Sequence, residues 1–222
     1  MLYVTGDIHA DIRRLKGRAA KQLKKGDILL VCGDFGFLWD GSPKELRLLD
    51  WLGKRPYQIL FVEGTHDNID LLSGYPEETL YGGQVRRVSG NCCQLLRGEC
   101  YEIEGKRVFA LGGGESTDMD IRVEGETWWS RELPSAEELA HARETLASLN
   151  QQVDYIITHS VAPTVNKFLD REQMQINLLL AFLNEISETV QFKRWYFGSC
   201  HLDKAIPPKY CAVYQEILPV MD

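Results

Sequence analysis

Leu2-Tyr3-Val4-Thr5-Gly6-Asp7-Ile8-His9 decides the fold of this chain, because a short apolar, β-branched run ends at a glycine and is followed at once by an acid and an imidazole. Such a run reads as a buried strand, and the glycine lets the backbone turn sharply and present the next side chain at the strand's carboxyl end. The pattern returns along the chain. Ile28-Leu29-Leu30-Val31-Cys32 leads to Gly33-Asp34, Ile59-Leu60-Phe61-Val62 to Gly64-Thr65-His66-Asp67, Tyr155-Ile156-Ile157 to Thr158-His159, and Trp195-Tyr196-Phe197 to Gly198-Ser199-Cys200-His201. Carboxylates and imidazoles gathered at one sheet edge make a cation site. Asp and His together suit Mn, Fe, Zn or Ni better than Ca, which prefers all-oxygen sites.

Working outward, Ile12, Leu15, Ala19 and Leu23 recur at near-helical spacing and predict an amphipathic helix leading to Gly26-Asp27, so the first two strands form a βαβ unit. Ser42-Pro43 starts a second helix through Leu52, with Ser42 as N-cap and Pro43 at the first helical position. From 84 to 111, short runs separated by glycine-containing turns predict antiparallel hairpins. A helix over 135–149 opens with the capping box Ser135-x-x-Glu138, another helix covers 173–190, and 195–197 and 211–217 form a last strand pair. This order fits an α/β protein of two sheets sandwiched between helices, in one folded unit over 1–222.

The 222 residues carry 44% hydrophobic side chains, enough for a sizeable core, and a formal charge of -7. With a pI near 5.3, the balance argues against a general electrostatic grip on nucleic acid, leaves a local basic patch open, and favours a small phosphorylated substrate. The cysteines at 32, 92, 93, 100, 200 and 211 show no disulfide framework, and no apolar run approaches the roughly 18 residues that cross a bilayer. The expected location is the cytoplasm, away from the membrane. Nothing in the sequence specifies an oligomer.

Gly6-Asp7-Ile8-His9, Gly33-Asp34, Gly64-Thr65-His66-Asp67, Thr158-His159 and Gly198-Ser199-Cys200-His201, in this order, resemble the five motifs of the calcineurin-like metallophosphoesterases. The resemblance spans nearly the whole chain and implies a four-layer α-β-β-α sandwich of two mixed sheets flanked by helices. It also implies that Asp7, His9 and His201 hold one divalent metal, Mn foremost, while Asp34 bridges to a second ion held by His159. His66 would stand beside the leaving group as an acid or electrostatic clamp; apart from the resemblance, the adjacent Asp67 is a candidate to orient its ring through a hydrogen bond. Paired cations then polarise phosphoryl oxygens and acidify a water for in-line attack on phosphorus. Where the family carries Asn this chain has Thr65, and where it carries His this chain has Ser199, so the second site loses two ligands and keeps at most two weak ones.

Gly112-Gly113-Gly114 opens a polar loop containing Arg122, followed by Trp128-Trp129; similar arrangements recur in a bacterial branch of the family. Arg122 is a candidate phosphate clamp and Trp128 a candidate stacking surface. Two functions follow. One is a metal-dependent phosphatase or phosphodiesterase acting on a nucleotide or another small phosphoester, with one intact and one weakened site. The other is a binding protein that kept the fold and lost turnover.

Overall fold

The apolar runs form strands whose alternate residues have two different buried destinations. The computed structural model describes residues 1–116, 119–169 and 176–221. In chain order it contains β1 (Leu2–Thr5), α1 (Ile12–Lys16), β2 (Ile28–Cys32), α2 (Pro43–Gly53), β3 (Gln58–Val62), α3 (Ile69–Ser73), β4 (Glu77–Leu80), β5 (Gly83–Ser89) and β6 (Cys92–Leu95). After a crossover come β7 (Glu99–Ile103), β8 (Lys106–Leu111), α4 (Ala136–Ser148), β9 (Tyr155–Thr158), α5 (Pro163–Asn166), α6 (Leu178–Thr189), β10 (Arg194–Phe197), β11 (Lys204–Ile206), β12 (Tyr210–Ala212) and β13 (Leu218–Pro219). The first sheet runs β13-β1-β2-β3-β6-β5-β4 and the second β11-β12-β10-β9-β8-β7. Both are mixed: β1, β2, β3 and β6 are parallel in one, and β8, β9, β10 and β12 in the other.

In β2, Ile28, Leu30 and Cys32 join the core between the sheets, whereas Leu29 and Val31 pack outward with Leu15, Leu49 and Leu52 from the helices. In β9, Tyr155 and Ile157 face the inter-sheet core and Ile156 faces a second outer core with Leu139 and Leu146 of α4 and Phe182 and Leu183 of α6. Two apolar faces per strand explain why these runs are continuous rather than alternating. The layers are therefore helix, sheet, sheet, helix.

The capping expectations hold at α2 and α4: Ser42 accepts from the Glu45 N–H with Pro43 in the first turn, and Ser135 and Glu138 form the reciprocal box. The expected helix from Ile12 to Leu23 instead stops at Lys16, and only a 3-10 turn, Ala20–Gln22, follows. Gly17 breaks it by going extended (φ -69, ψ 174) while its N–H closes on the Arg14 carbonyl. The later helix begins at Leu178, where the Asn177 side chain accepts from the Leu180 N–H; the expected portion at 173–175 lies outside the described residues.

The hairpins between 84 and 111 belong to two sheets, with the crossover at 96–98. β4 carries too little apolar signal to be read; its Glu77 and Glu78 pair with Arg86 and Arg87 of β5. The last pair forms as β10 with β12, joined in parallel, but Leu218–Pro219 leaves for the other sheet, where it lies antiparallel beside β1. Among the described residues, no helix is long and apolar enough to cross a membrane.

Candidate metal centre

Parallel pairing places the carboxyl ends of β1, β2 and β3 side by side, with Thr5 beside Val31 and Cys32 beside Val62, and does the same for β9 and β10, with Thr158 beside Phe197. The motif loops that follow are tied to one another. Ile8 and His9 donate their N–H groups to the Asp34 carbonyl at 3.0 and 2.8 Å, and Ala10 donates to Phe35 at 3.1 Å. These bonds support unusual backbone: of the non-glycine positions at positive φ, His9, Ala10, Asp34, Ser199 and His201 all lie in the motif loops. Such conformations cost of order 1 kcal/mol each and persist where the surroundings enforce them.

The glycines act mainly through contact rather than through the turn that the sequence predicts. Gly33 is the exception, with φ +101, but Gly6, Gly64 and Gly198 have no left-handed φ. A Cβ on Gly64 would lie 2.1 Å from Asp34 Oδ1, one on Gly198 2.0 Å from Asp7 Oδ1, and one on Gly33 2.1 Å from the His159 ring. The side chains of the site fill the space that these glycines leave.

Asp7, His9, Asp34 and His201 each offer a ligand atom within 4.8 Å of the others. The Nε2 atoms of His9 and His201 are 3.0 Å apart, His201 Nε2 is 3.1 Å from Asp7 Oδ2, and His9 Nε2 is 3.7 Å from Asp34 Oδ2. The carboxylates form the buried floor, while His9 and His201, with side chains 32% and 51% exposed, form a wall open to solvent. Asp7 Oδ2 is buried without a hydrogen bond, although Oδ1 accepts the Ser199 N–H at 3.2 Å. A buried carboxylate oxygen lacking a donor, facing two imidazole nitrogens, is the donor set of a divalent transition ion, and these residues fit one.

Burial opposes ionisation of Asp7, yet His159, His201 and the Ser199 N–H outweigh it and hold the carboxyl well below the usual range. Asp34 is likewise lowered, with burial opposed by His159 and His66. His159 is buried between them, its Nδ1 3.4 Å from Asp7 Oδ1 and its Nε2 3.7 Å from Asp34 Oδ1. Desolvation disfavours its charge, but the two carboxylates prevail and push it up to about 10. Desolvation lowers His9 despite the pull of Asp34.

His66 meets the same Asp34 carboxylate as His9, its Nδ1 2.9 Å from Oδ2 and its backbone N–H donating to Oδ1 at 2.8 Å, with the two rings edge-on and their centroids 5.1 Å apart. That hydrogen bond raises its pKa against burial and the nearby Arg122. Arg122 Nη2 sits 3.0 Å from His66 Nε2, and Nη1 donates to the Thr127 carbonyl at 3.2 Å. The role expected of Asp67, orienting the His66 ring, is corrected by the structure: its carboxylate accepts N–H groups of Phe35, Gly36 and Gly64 at 3.1, 2.7 and 2.9 Å. Burial and the neighbouring Asp34 charge push it up to about 7 against those three donors.

The Thr65 hydroxyl lies 3.2 Å from His66 Nδ1, and the Ser199 hydroxyl 3.8 Å from Cys200 Sγ. Cys200 is buried in the outer core against α6 and is not part of the ligand group. Trp129 is buried against Trp39, ring centroids 4.8 Å apart, whereas Trp128 is half-buried and bridges by backbone to Glu124.

Sequence reasoning missed the groups behind the loops. Glu63, between β3 and the Gly64 motif, is buried with Arg97, Oε1 to Nε 2.5 Å, and also accepts from Gln94 at 2.8 Å. Arg97 further reaches Glu138 and the carbonyls of Arg131 and Glu132, tying both sheets and α4 behind the site. A charged residue directly after the apolar β3 run, before the Gly64 motif, was the available signal.

The calcineurin-like phosphoesterase family model matches residues 1–185. No curated protein matches the chain. Among solved structures, the chain is similar to a protein named as a 5'-nucleotidase from Staphylococcus aureus, solved in complex with alpha-ketoglutarate, at 14% identity and TM-score 0.52; the match covers 100% of this chain and 54% of that one. It also matches a protein of unknown function from Aquifex aeolicus at 17% identity and TM-score 0.36, over 73% of this chain and 79% of that one. The nucleotidase neighbour shares the two-sheet architecture, this chain spanning about half its length. With the family model covering most of the chain and the motif loops converging on one donor cluster, the chain belongs to the calcineurin-like phosphoesterase family.

Proposed function

We propose that this protein is a metal-dependent phosphoester hydrolase acting on a small phosphorylated substrate such as a nucleotide, with one strong ion site at Asp7, His9, Asp34 and His201 and a weaker second one. The observation that carries the reading is the convergence of those four donors beside a histidine anchored on one of them. A divalent ion, Mn foremost, supplies Lewis acidity to the phosphoryl oxygens and to the attacking water.

The chain's own residues do the rest. Asp34 is ionised and only accepts, so His66 carries its proton on Nδ1 and donates it in a hydrogen bond to that carboxylate; Arg122 only donates, so it occupies the lone pair of Nε2. A substrate phosphate, a stronger partner for a guanidinium than a neutral imidazole, draws Arg122 away and clears Nε2, which takes up a proton from solvent and, as imidazolium, gives it to the leaving-group oxygen. The half-buried Trp128 on the same loop offers a face to a base or sugar. For the second site, His159 lies outside the four-donor group, the Thr65 hydroxyl contacts the His66 ring, and Ser199 gives Asp7 its N–H. These contacts favour a weak second site. A cytoplasmic location goes with this reading.

Hydrolysis of a p-nitrophenyl phosphomonoester and of its bis diester tests the proposal. Turnover of at least one is expected with Mn and none with chelator, and His66→Ala should lower kcat by about 10² or more. Mn binding without turnover of either ester would move the protein to the alternative of a binding protein with the same fold.

A further inference from the structure

His201 is the most exposed donor of the cluster, with a side chain 51% accessible and a backbone φ of +51 in the turn after β10. An exposed imidazole samples several rotamers, and a ligand that must be re-set for each binding event binds an ion weakly. Its ring is nevertheless held. The Tyr214 ring lies flat against it, centroids 4.7 Å apart and planes 17° from parallel.

Tyr214 is fixed from several directions. Its N–H donates to Asp203 Oδ1 at 2.7 Å, and the same carboxylate accepts the N–H groups of Gln215 and Glu216, so the turn carrying His201 is stapled to the segment carrying Tyr214. Its carbonyl accepts from the Gly6 N–H, from Thr5 Oγ1 and from Arg14 Nη2. Arg14 also donates from Nη1 to the carbonyl of Asp7 and from Nη2 to Thr5 Oγ1 at 2.8 Å, and its guanidinium carbon lies 5.6 Å from the Tyr214 ring centroid. One arginine on α1 thus grips the backbone of the ligand Asp7 and the residue stacked on the ligand His201. A Cβ on Gly6 would lie 1.9 Å from the Val213 carbonyl, so the two chain segments meet at closest approach.

We propose that Tyr214 is a positioning residue that pre-sets the His201 imidazole for the metal ion through its ring face, and that Arg14 and Asp203 hold it there. The inference rests on the reading of His201 as a metal ligand. The hydroxyl of Tyr214 has no part in it; the flat ring has.

Titration calorimetry with Mn alone, run on the full chain, tests this through affinity rather than turnover. Tyr214→Ala should weaken Mn binding about 10- to 100-fold, the usual range for partners behind a ligand, and Tyr214→Phe should stay within about threefold of the parent. The weakening should vanish in a His201→Ala background, because the tyrosine then has no ring to orient. Tyr214→Leu, which keeps apolar bulk without a flat face, replaces the alanine variant if that one fails to fold. Equal losses with and without His201, or a phenylalanine variant as weak as the alanine one, would overturn the proposal. Unchanged Mn affinity in His201→Ala alone would instead refute the ligand assignment, so the two failures are distinct.

Discussion

Arg97→Met removes the cation from behind the motif loops and leaves Glu63 where water does not reach. The two side chains are 7% and 1% exposed, and burial raises the Glu63 carboxyl while Arg97 and Gln94 more than offset this and hold it below its usual value. Breaking a buried pair from one side costs about 3–5 kcal/mol, because the remaining charge is uncompensated. That is a large share of a typical stability of about 5–15 kcal/mol. In the parent, the lowered Glu63 contributes stability that is complete above its unfolded pKa and lost as pH falls through the folded one. In the variant burial acts with little opposition, the folded pKa rises, and stability climbs as pH falls, by up to about 1.4 kcal/mol per pH unit while one extra proton is held by the folded state. Urea unfolding followed by tryptophan fluorescence, at about pH 8 and about pH 5.5, should therefore show a gap between parent and variant that narrows in acid. Adding Glu63→Gln to the variant should recover part of the loss at the higher pH. A gap under about 1 kcal/mol, or one that widens in acid, would refute the reasoning.

Asp67 titrates in the opposite sense. Its unfolded value is 3.8 and its folded one about 7, so the folded state holds an extra proton across that window and the stability from this group declines as pH rises through it. Carboxyl-carbon NMR of metal-free protein should place its midpoint near the folded value, and Mn should lower that midpoint by neutralising Asp34; an unmoved midpoint would show that Asp34 does not set it. Gly64→Ala drives a Cβ to within 2.1 Å of Asp34 Oδ1 and 2.6 Å of its backbone nitrogen. Mn affinity by calorimetry should fall at least about tenfold, while Gly82→Ala, with nothing within 4 Å and φ +84, should lose only about 1 kcal/mol of stability and leave affinity intact.

The strands that carry the site were legible because each is buried on two faces and so is written as an unbroken apolar run, and because the residues after it are few and chemically distinct. Elements held by other means were not. β4 shows its partner only through Glu77 and Glu78 meeting the two arginines of β5, and α1 is cut short at a glycine whose effect competes with a good amphipathic pattern. Within the site, the donors of the cluster follow from local motifs, whereas Arg14, Tyr214 and the Glu63–Arg97 pair join residues far apart in the chain. Such pairings leave no periodic signal. The role expected of Asp67 failed for a related reason: adjacency to His66 in sequence placed its carboxylate on backbone donors instead of on the ring.

The most direct test of the central claim is a crystal grown with Mn and measured at the Mn absorption edge. The account predicts a strong anomalous peak enclosed by Asp7, His9, Asp34 and His201, with a weaker one or none beside His159. An absence of anomalous density among those four side chains, in crystals whose solution contains ample Mn, would contradict it.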